Sequence, residues 1–468
     1  MDFIRRIQTV LCGNAINLLI SIFMVIVLPK YLTMEDYGYW QLFLFYFSYI
    51  GLFHFGWEDG IYLKYVGCRY DDLDKKYFNN QLMGETIFEL LISTVIVVIL
   101  SRYISDDSYR LVLIYIAVMN VIYHYNGFCS YVFQISSRFY DYSRLVIIEP
   151  VVFGLTTLFL LITNECVFEN LLTAKLLSMS TVFVFVNYRL TDIVHPQKIE
   201  FANLFYDAID NIKVGINLMI ANVAGTLVIG VIRYAISNTW DIIVFGKISL
   251  SLSLSNFLFF FINAISIVML PSLKRATYNE KIKLYDNVKF LLSSFIFIIF
   301  ILYFPIYLVL INWIPQYVDS FKFLAILFPI CIYESRNSLI INNYLKALRK
   351  ERLILYSNLL SLLFSGIIAF FCTMILKDLF ITLCSIVVIF SIKCFVADRY
   401  LCSVINKAGY KQYLLDWFMS VLFILIAYNY SDFVGFAGYF FVLLIYYFLT
   451  WKRIKKSLYK LKKLSLVN

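Results

Sequence analysis

The sequence predicts an all-α integral membrane protein of about fourteen transmembrane helices, and three observations predict it. First, 62% hydrophobic and 15% charged residues, with a mean hydropathy of +0.80 over 468 residues, cannot furnish the polar surface of a water-soluble fold. Second, apolar runs of roughly 20 residues recur along the chain, the length a helix rising about 1.5 Å per residue needs to cross a core near 30 Å thick. Third, Lys and Arg crowd alternate gaps between those runs, as expected of a polytopic protein inserted under the positive-inside rule.

The first six spans are expected near Ile7 to Leu28, Tyr37 to Tyr65, Asn79 to Ser101, Arg110 to Phe133, Leu145 to Ile162 and Leu171 to Tyr188. Six more follow near Val214 to Ile236, Phe245 to Leu270, Val288 to Ile311, Phe321 to Ile341, Leu353 to Leu376 and Leu379 to Leu401. Two shorter ones are expected near Tyr413 to Tyr428 and Phe433 to Thr450. Arg5 and Arg6 precede a first run that is longer than a signal-peptide core and lacks a small-residue cleavage site, so it is expected to stay as a helix.

The crowded gaps hold Arg5 and Arg6, then Lys64, Arg69, Lys75 and Lys76, then Arg138 and Arg144, then Arg189, Lys198 and Lys213. Farther on come Lys274, Arg275, Lys281 and Lys283, then Lys346, Arg349, Lys350 and Arg352, and finally Lys452 through Lys463. The other gaps offer Lys30, Arg102, Lys247, Lys322 and Lys377. This pattern puts both termini in the cytoplasm and assigns most of the +10 net charge to topology and to anionic headgroups rather than to nucleic acid. Nine scattered cysteines without a CxxC pair read as reduced packing residues.

The longest polar connection, residues 191–213 with His195 and Pro196, divides the chain into a lobe of six spans over 1–190 and another over 214–402. Residues 403–451 hold the last two spans, and 452–468 form a basic tail. The lobes carry a faint repeat. Lys30-Tyr31-Leu32-Thr33, then Asp36-Tyr37-Gly38, is echoed by Arg233-Tyr234-Ala235-Ile236-Ser237, then Asp241 and Phe245-Gly246. Internal repeats are a common construction of secondary transporters, with the substrate path in a central cavity between the halves.

Leu28-Pro29-Lys30-Tyr31-Leu32, Asp36-Tyr37-Gly38-Tyr39-Trp40 and Gly56-Trp57-Glu58-Asp59-Gly60-Ile61-Tyr62-Leu63-Lys64-Tyr65 together resemble the first hairpin of Wzx-type oligosaccharide flippases. These belong to the multidrug, oligosaccharidyl-lipid and polysaccharide exporter superfamily. Phe245-Gly246-Lys247 and Val268-Met269-Leu270-Pro271-Ser272-Leu273-Lys274-Arg275 agree with it in the second lobe. The resemblance implies that the protein moves an undecaprenyl-pyrophosphate-linked oligosaccharide from the cytoplasmic to the periplasmic leaflet of a bacterial inner membrane, for O-antigen or capsule synthesis. It further implies a monomer that uses no cofactor and has a polysaccharide polymerase and a chain-length regulator as partners, while coupling to H+ or Na+ is expected from Glu89 within the third span.

Polar stripes on three spans suit such a cavity: Asn14, Asn17 and Ser21 on the first, Asn222, Thr226 and Arg233 on the seventh, and Ser249, Ser253, Asn256 and Asn263 on the eighth. The same stripes read equally as interhelical packing. Asn14, Asn17, Asn222 and Asn256 are the candidates for sugar contacts. Arg233 and Lys247 near the outer helix ends, and Lys64, Lys274 and Arg275 near the inner ones, are candidates for the pyrophosphate, with snorkelling as the competing reading.

Carboxylates deep in a span need a partner or a proton. Glu89 shares a helical face with Gln81, Glu85 and Ser93, and His124 and Asn126 on the next span are its expected partners. Glu58 and Asp59 in the hairpin motif are candidates for a gate or an ion site, and His54 is expected to pair with Glu58 at i, i+4. Signatures such as HExxH, a nucleophile elbow, a P-loop or a glycine-rich dinucleotide turn are absent, so no catalytic residue is assigned. The rivals are a multidrug or small-molecule exporter of the same superfamily and a membrane polysaccharide polymerase, against which the short outer gaps argue.

Overall fold

The computed structural model describes the backbone of residues 2–195, 201–275, 277–350, 352–407 and 411–465. Side chains are described for these residues except 2–12, 14, 100–101, 201–202, 258–272, 274–275, 278–279, 283, 411 and 460–465. Among the described residues there is no strand. Contacts group the chain into two compact units, Met1–Val223 and Ala224–Asn468.

The first unit comprises α1 (Asp2–Tyr31), α2 (Met34–Phe47), α3 (Trp57–Tyr65), α4 (Lys75–Tyr103), α5 (Asp107–Ile135), α6 (Phe139–Ile162), α7 (Phe168–Arg189), α8 (Thr191–Val194) and the beginning of α9 (Phe201–Thr239). Of the expected connection 191–213, residues 191–194 are α8 and 201–213 are the first turns of α9. Helix starts follow local chemistry. The carboxylates of Asp74 and Asp106 accept from the first free backbone N–H groups of α4 and α5, and the Thr33 hydroxyl does so for α2.

The second unit continues from α9 into α10 (Ile242–Arg275), α11 (Tyr278–Phe300), α12 (Tyr303–Trp313), α13 (Val318–Leu327), α14 (Ile330–Ser335), a π-helical stretch Arg336–Asn342 and α15 (Asn343–Ala347). It then runs through α16 (Arg352–Phe370), a second π-helical stretch Phe371–Leu376, α17 (Leu379–Val404), α18 (Lys411–Asn429) and α19 (Phe433–Ser465). Thr277 and Glu280 make a reciprocal capping box at the start of α11, and Asp378 caps α17.

Among the described residues ten helical stretches, one of them α11 continued by α12, are long and apolar enough to cross a bilayer, so the protein is a multi-pass membrane protein. The count of fourteen is not reached among the described residues, for three reasons. The expected second span is interrupted: α2 ends at Phe47, a 3-10 turn spans Ile50–Leu52, and Gly56 adopts a left-handed conformation (φ 85°) before α3. In the expected tenth span, Pro315–Leu327 and Ile330–Ala347 are bent by 46° and make an eleventh crossing only if taken together. Pro329 at this bend cannot donate the backbone hydrogen bond that would carry α13 straight on. Within α1 and α10 the apolar stretches Ala15–Tyr31 and Ile242–Phe257 belong to the described residues, and the side chains of 2–12 and 258–272 in the same helices lie outside them, so the expected first and eighth spans are not counted.

Burial follows the lipid setting. Leu90, Leu91, Val95, Val98 and Ile99 of α4 are exposed, whereas Gln81, Glu85, Glu89 and Ser93 on its other side are buried. An apolar outside around a polar inside is what a helix in hydrocarbon requires.

Candidate functional site

The buried face of α4 meets α5 and the α2–α3 break in a compact acidic cluster. Glu58, Glu85, Glu89 and His124 are all 5% exposed or less. Spacing explains why they gather: Glu85 and Glu89 lie one turn apart on α4, and Asn120 and His124 one turn apart on α5, which packs along α4. Glu58 arrives from the first turn of α3.

His124 is held at both ring nitrogens. Nε2 lies 3.2 Å from the carbonyl oxygen of Ile50, which can only accept, so Nε2 carries a proton and donates. Nδ1 lies 3.0 Å from Glu58 Oε1, and Nε2 lies 3.9 Å from Glu89 Oε1. Asn120 Nδ2 donates to Glu89 Oε2 at 2.7 Å and to Ser93 Oγ at 3.2 Å. Among the described residues both carboxyl oxygens of Glu85 lack a hydrogen-bonding partner, as does Glu89 Oε1. Glu58 faces a cleft of about 400 Å³ also lined by His54, Tyr123, Asn126, Tyr131 and Glu149. The cluster is therefore buried on the α4 side and reachable on the Glu58 side.

Two expected pairings are replaced. His54 lies in the turn before α3 rather than one helical turn before Glu58; its Nδ1 accepts the N–H of Gly56 at 2.8 Å, and Glu58 turns to His124. Asn126 donates to the carbonyl of Met179 at 3.1 Å, and Asn120 takes its place beside Glu89. Asp59 accepts from the Tyr131 hydroxyl at 3.0 Å.

The hairpin motif has a second role in packing. A Cβ at Gly60 would stand 1.9 Å from the carbonyl oxygen of Asn211, and one at Gly215 would stand 2.0 Å from that of Gly56, so α3 and α9 touch backbone to backbone. Lys64 closes this contact, donating to Asp210 at 2.5 Å and to Asn211 at 2.6 Å.

Asn17, Asn222 and Asn256 are exposed. Arg233 donates to Ser249 Oγ at 2.9 Å and stands over the Phe245 ring, and Lys247 pairs with Asp319 at 2.7 Å. The side chains of Asn14, Lys274 and Arg275 lie outside the described residues.

Several charge pairs escape sequence reading, in which Glu149, and Glu334 with Arg336, read as local structural groups. Lys175 of α7 pairs with Glu149 at 2.5 Å. In the second unit Lys289 pairs with Asp398, which also accepts from the Tyr285 hydroxyl, and Arg336 pairs with Asp416 and donates to Ser293 Oγ at 2.7 Å. The signal was a charge inside an apolar helix, weakened because Asp398 and Asp416 fall close to span ends, where charges are ordinary.

Among solved structures, the lipid II flippase MurJ in its inward closed conformation overlaps strongly, with a TM-score of 0.66 over 94% of this chain and 98% of that one, at 13% identity. The chain shares its fold with MurJ. An outward-facing multidrug resistance transporter of the MATE family and MOP superfamily (TM-score 0.49, 12% identity, 86% and 95% covered) also aligns. So does a MOP superfamily transporter from Pyrococcus furiosus (0.43, 12%, 86% and 93%); at these scores neither adds to the argument drawn from MurJ. No protein-family model and no curated protein matches the sequence.

Proposed function

We propose that this protein moves an undecaprenyl-pyrophosphate-linked oligosaccharide from the cytoplasmic to the periplasmic leaflet by alternating access, supplying surface polysaccharide synthesis. The observation that carries the reading is the MurJ-like fold along almost the entire chain, since MurJ is named as a flippase of lipid II. The hairpin motif of Gly56 to Lys64 supports it. So do the exposed amides of Asn17, Asn222 and Asn256 on apolar helices, because an amide facing hydrocarbon is costly and one facing a hydrated sugar is not. Arg233 and Lys247 are retained as pyrophosphate contacts that would exchange their present partners for the substrate.

Deleting the gene should leave lipid-linked repeat units on the inner leaflet, detected by mass spectrometry and by their protection from a periplasmic glycosidase. Unpolymerised units on the outer leaflet would instead assign a polymerase, and unchanged lipid-linked sugars with increased drug sensitivity a small-molecule exporter.

Buried titratable groups suit a cycle driven by a gradient of protons or sodium, and the carboxyl groups of Glu58 and Glu89 with the imidazole of His124 supply them in the first unit. Glu89→Gln keeps the shape while removing the charge. It is expected to abolish the response of flipping to a collapsed ion gradient in vesicles; an unaltered response would remove Glu89 from coupling.

A further inference from the structure

We infer that Glu58, Glu85 and His124 form a binding site for a divalent transition metal of the zinc or manganese class. One ligand atom from each residue lies within 4.8 Å of the other two. Atoms bound tetrahedrally at about 2.1 Å stand about 3.4 Å apart, so the widest separation must contract by up to about 1.4 Å. Glu85 can supply that movement, because no hydrogen bond from a described residue holds either of its oxygens.

Three further features point to a cation here. His124 Nε2 donates to the Ile50 carbonyl at 3.2 Å, so in the neutral ring the lone pair lies on Nδ1, the nitrogen that faces Glu58. A backbone carbonyl on the far ring nitrogen is the outer contact that metal-binding histidines use. Glu85 is 2% exposed and, among the described residues, both its oxygens are unpartnered, an arrangement that costs free energy unless something occupies the space before it. Gly127 also makes room for the site: a Cβ there would stand 2.9 Å from Glu58 Oε2.

Charge selects the class of ion. Two carboxylates with a neutral imidazole balance a divalent ion, whereas a monovalent one leaves negative charge in apolar surroundings. The nitrogen ligand favours zinc or manganese over magnesium or calcium, which take oxygen almost alone. Glu89, fixed by Asn120, stays outside the ligand set. An ion can enter through the cleft that Glu58 lines. Because the metal and a coupling cation would use the same groups, the metal acts on transport as a competitor.

The test uses the full chain, purified in detergent with an affinity tag free of histidine, equilibrated with Zn2+ or Mn2+ alone and analysed for bound metal per chain. The expected result is one ion per chain and a rise in unfolding temperature. Both effects should weaken by about tenfold or more in affinity in Glu85→Gln and in His124→Gln. Gly127→Ala, which keeps every ligand and suits a helix, should weaken binding by displacing Glu58. The proposal is overturned if the wild type retains no metal, or if correctly folded Glu85→Gln and His124→Gln bind it as the wild type does, which would place the ion on the cysteines or elsewhere. No transport substrate enters the measurement, so its outcome is separate from the fate of the flippase reading.

Discussion

Replacing Gly60 with valine is expected to prevent the first unit from assembling. The obstruction is backbone: a Cβ at this position would stand 1.9 Å from the carbonyl oxygen, 2.6 Å from the carbonyl carbon and 3.0 Å from the Cα of Asn211. When a flexible side chain is in the way, overpacking costs about 1–3 kcal/mol. A helix cannot yield as a side chain does, so α3 and α9 must separate. Their separation takes with it the Lys64 bonds to Asp210 and Asn211 and the fit of Gly215 against the Gly56 carbonyl. A loss of at least about 3 kcal/mol follows, a large fraction of the 5–15 kcal/mol that typically holds a folded protein together. Gly366→Ala in α16 is the control, because nothing lies within 4 Å of a Cβ there and alanine favours a helix by about 1 kcal/mol. Recovery of monodisperse protein and its thermal unfolding in detergent provide the measurement. A Gly60→Val protein that unfolds at the wild-type temperature would show that α3 and α9 do not depend on this contact.

That contact illustrates what a sequence can and cannot tell. Gly56 and Gly60 stand out as a motif in the sequence, but their partners Asn211 and Gly215 sit about 150 residues away, and no local rule links them. Helical periodicity did place Glu85 and Glu89 on one buried face, because that depends only on spacing within a helix. It could not choose between Asn120 and Asn126 as the partner of Glu89, since the axial register of α5 against α4 is set by packing between helices. The break between α2 and α3 was hidden for another reason. Ile50-Gly51-Leu52-Phe53 is as apolar as the helices on either side, so hydropathy carries straight through a turn that the backbone does not. The pairing of His54 with Glu58 was lost with it, as i, i+4 spacing has meaning only in an unbroken helix.

The second large effect concerns Arg336 and Asp416, whose side chains are 1% and 0% exposed. Arg336 opens the π-helical stretch, and Asp416 lies in the second turn of α18. The Nε and Nη1 groups of Arg336 have no hydrogen-bonding partner among the described residues, so Asp416 supplies its charge compensation and Ser293 adds one neutral bond. Asp416→Ala leaves a guanidinium buried beside a single hydroxyl, and stranding one member of a buried ion pair costs about 3–5 kcal/mol. Removing both charges is different in kind: desolvation of the two ions is relieved together, and apolar groups of similar volume often hold such a site as well as the pair did. Arg336→Met combined with Asp416→Leu should therefore recover most of the stability lost in Asp416→Ala, read as thermal unfolding of the purified protein. If the double variant is as unstable as the single one, the pair acts through the shape of its hydrogen bonds rather than through charge balance. If Asp416→Ala costs under about 1 kcal/mol, water reaches Arg336 and the pair is not buried in the working protein. A recovered double variant that has also lost the proposed transport would separate a role of this pair in transport from its role in stability.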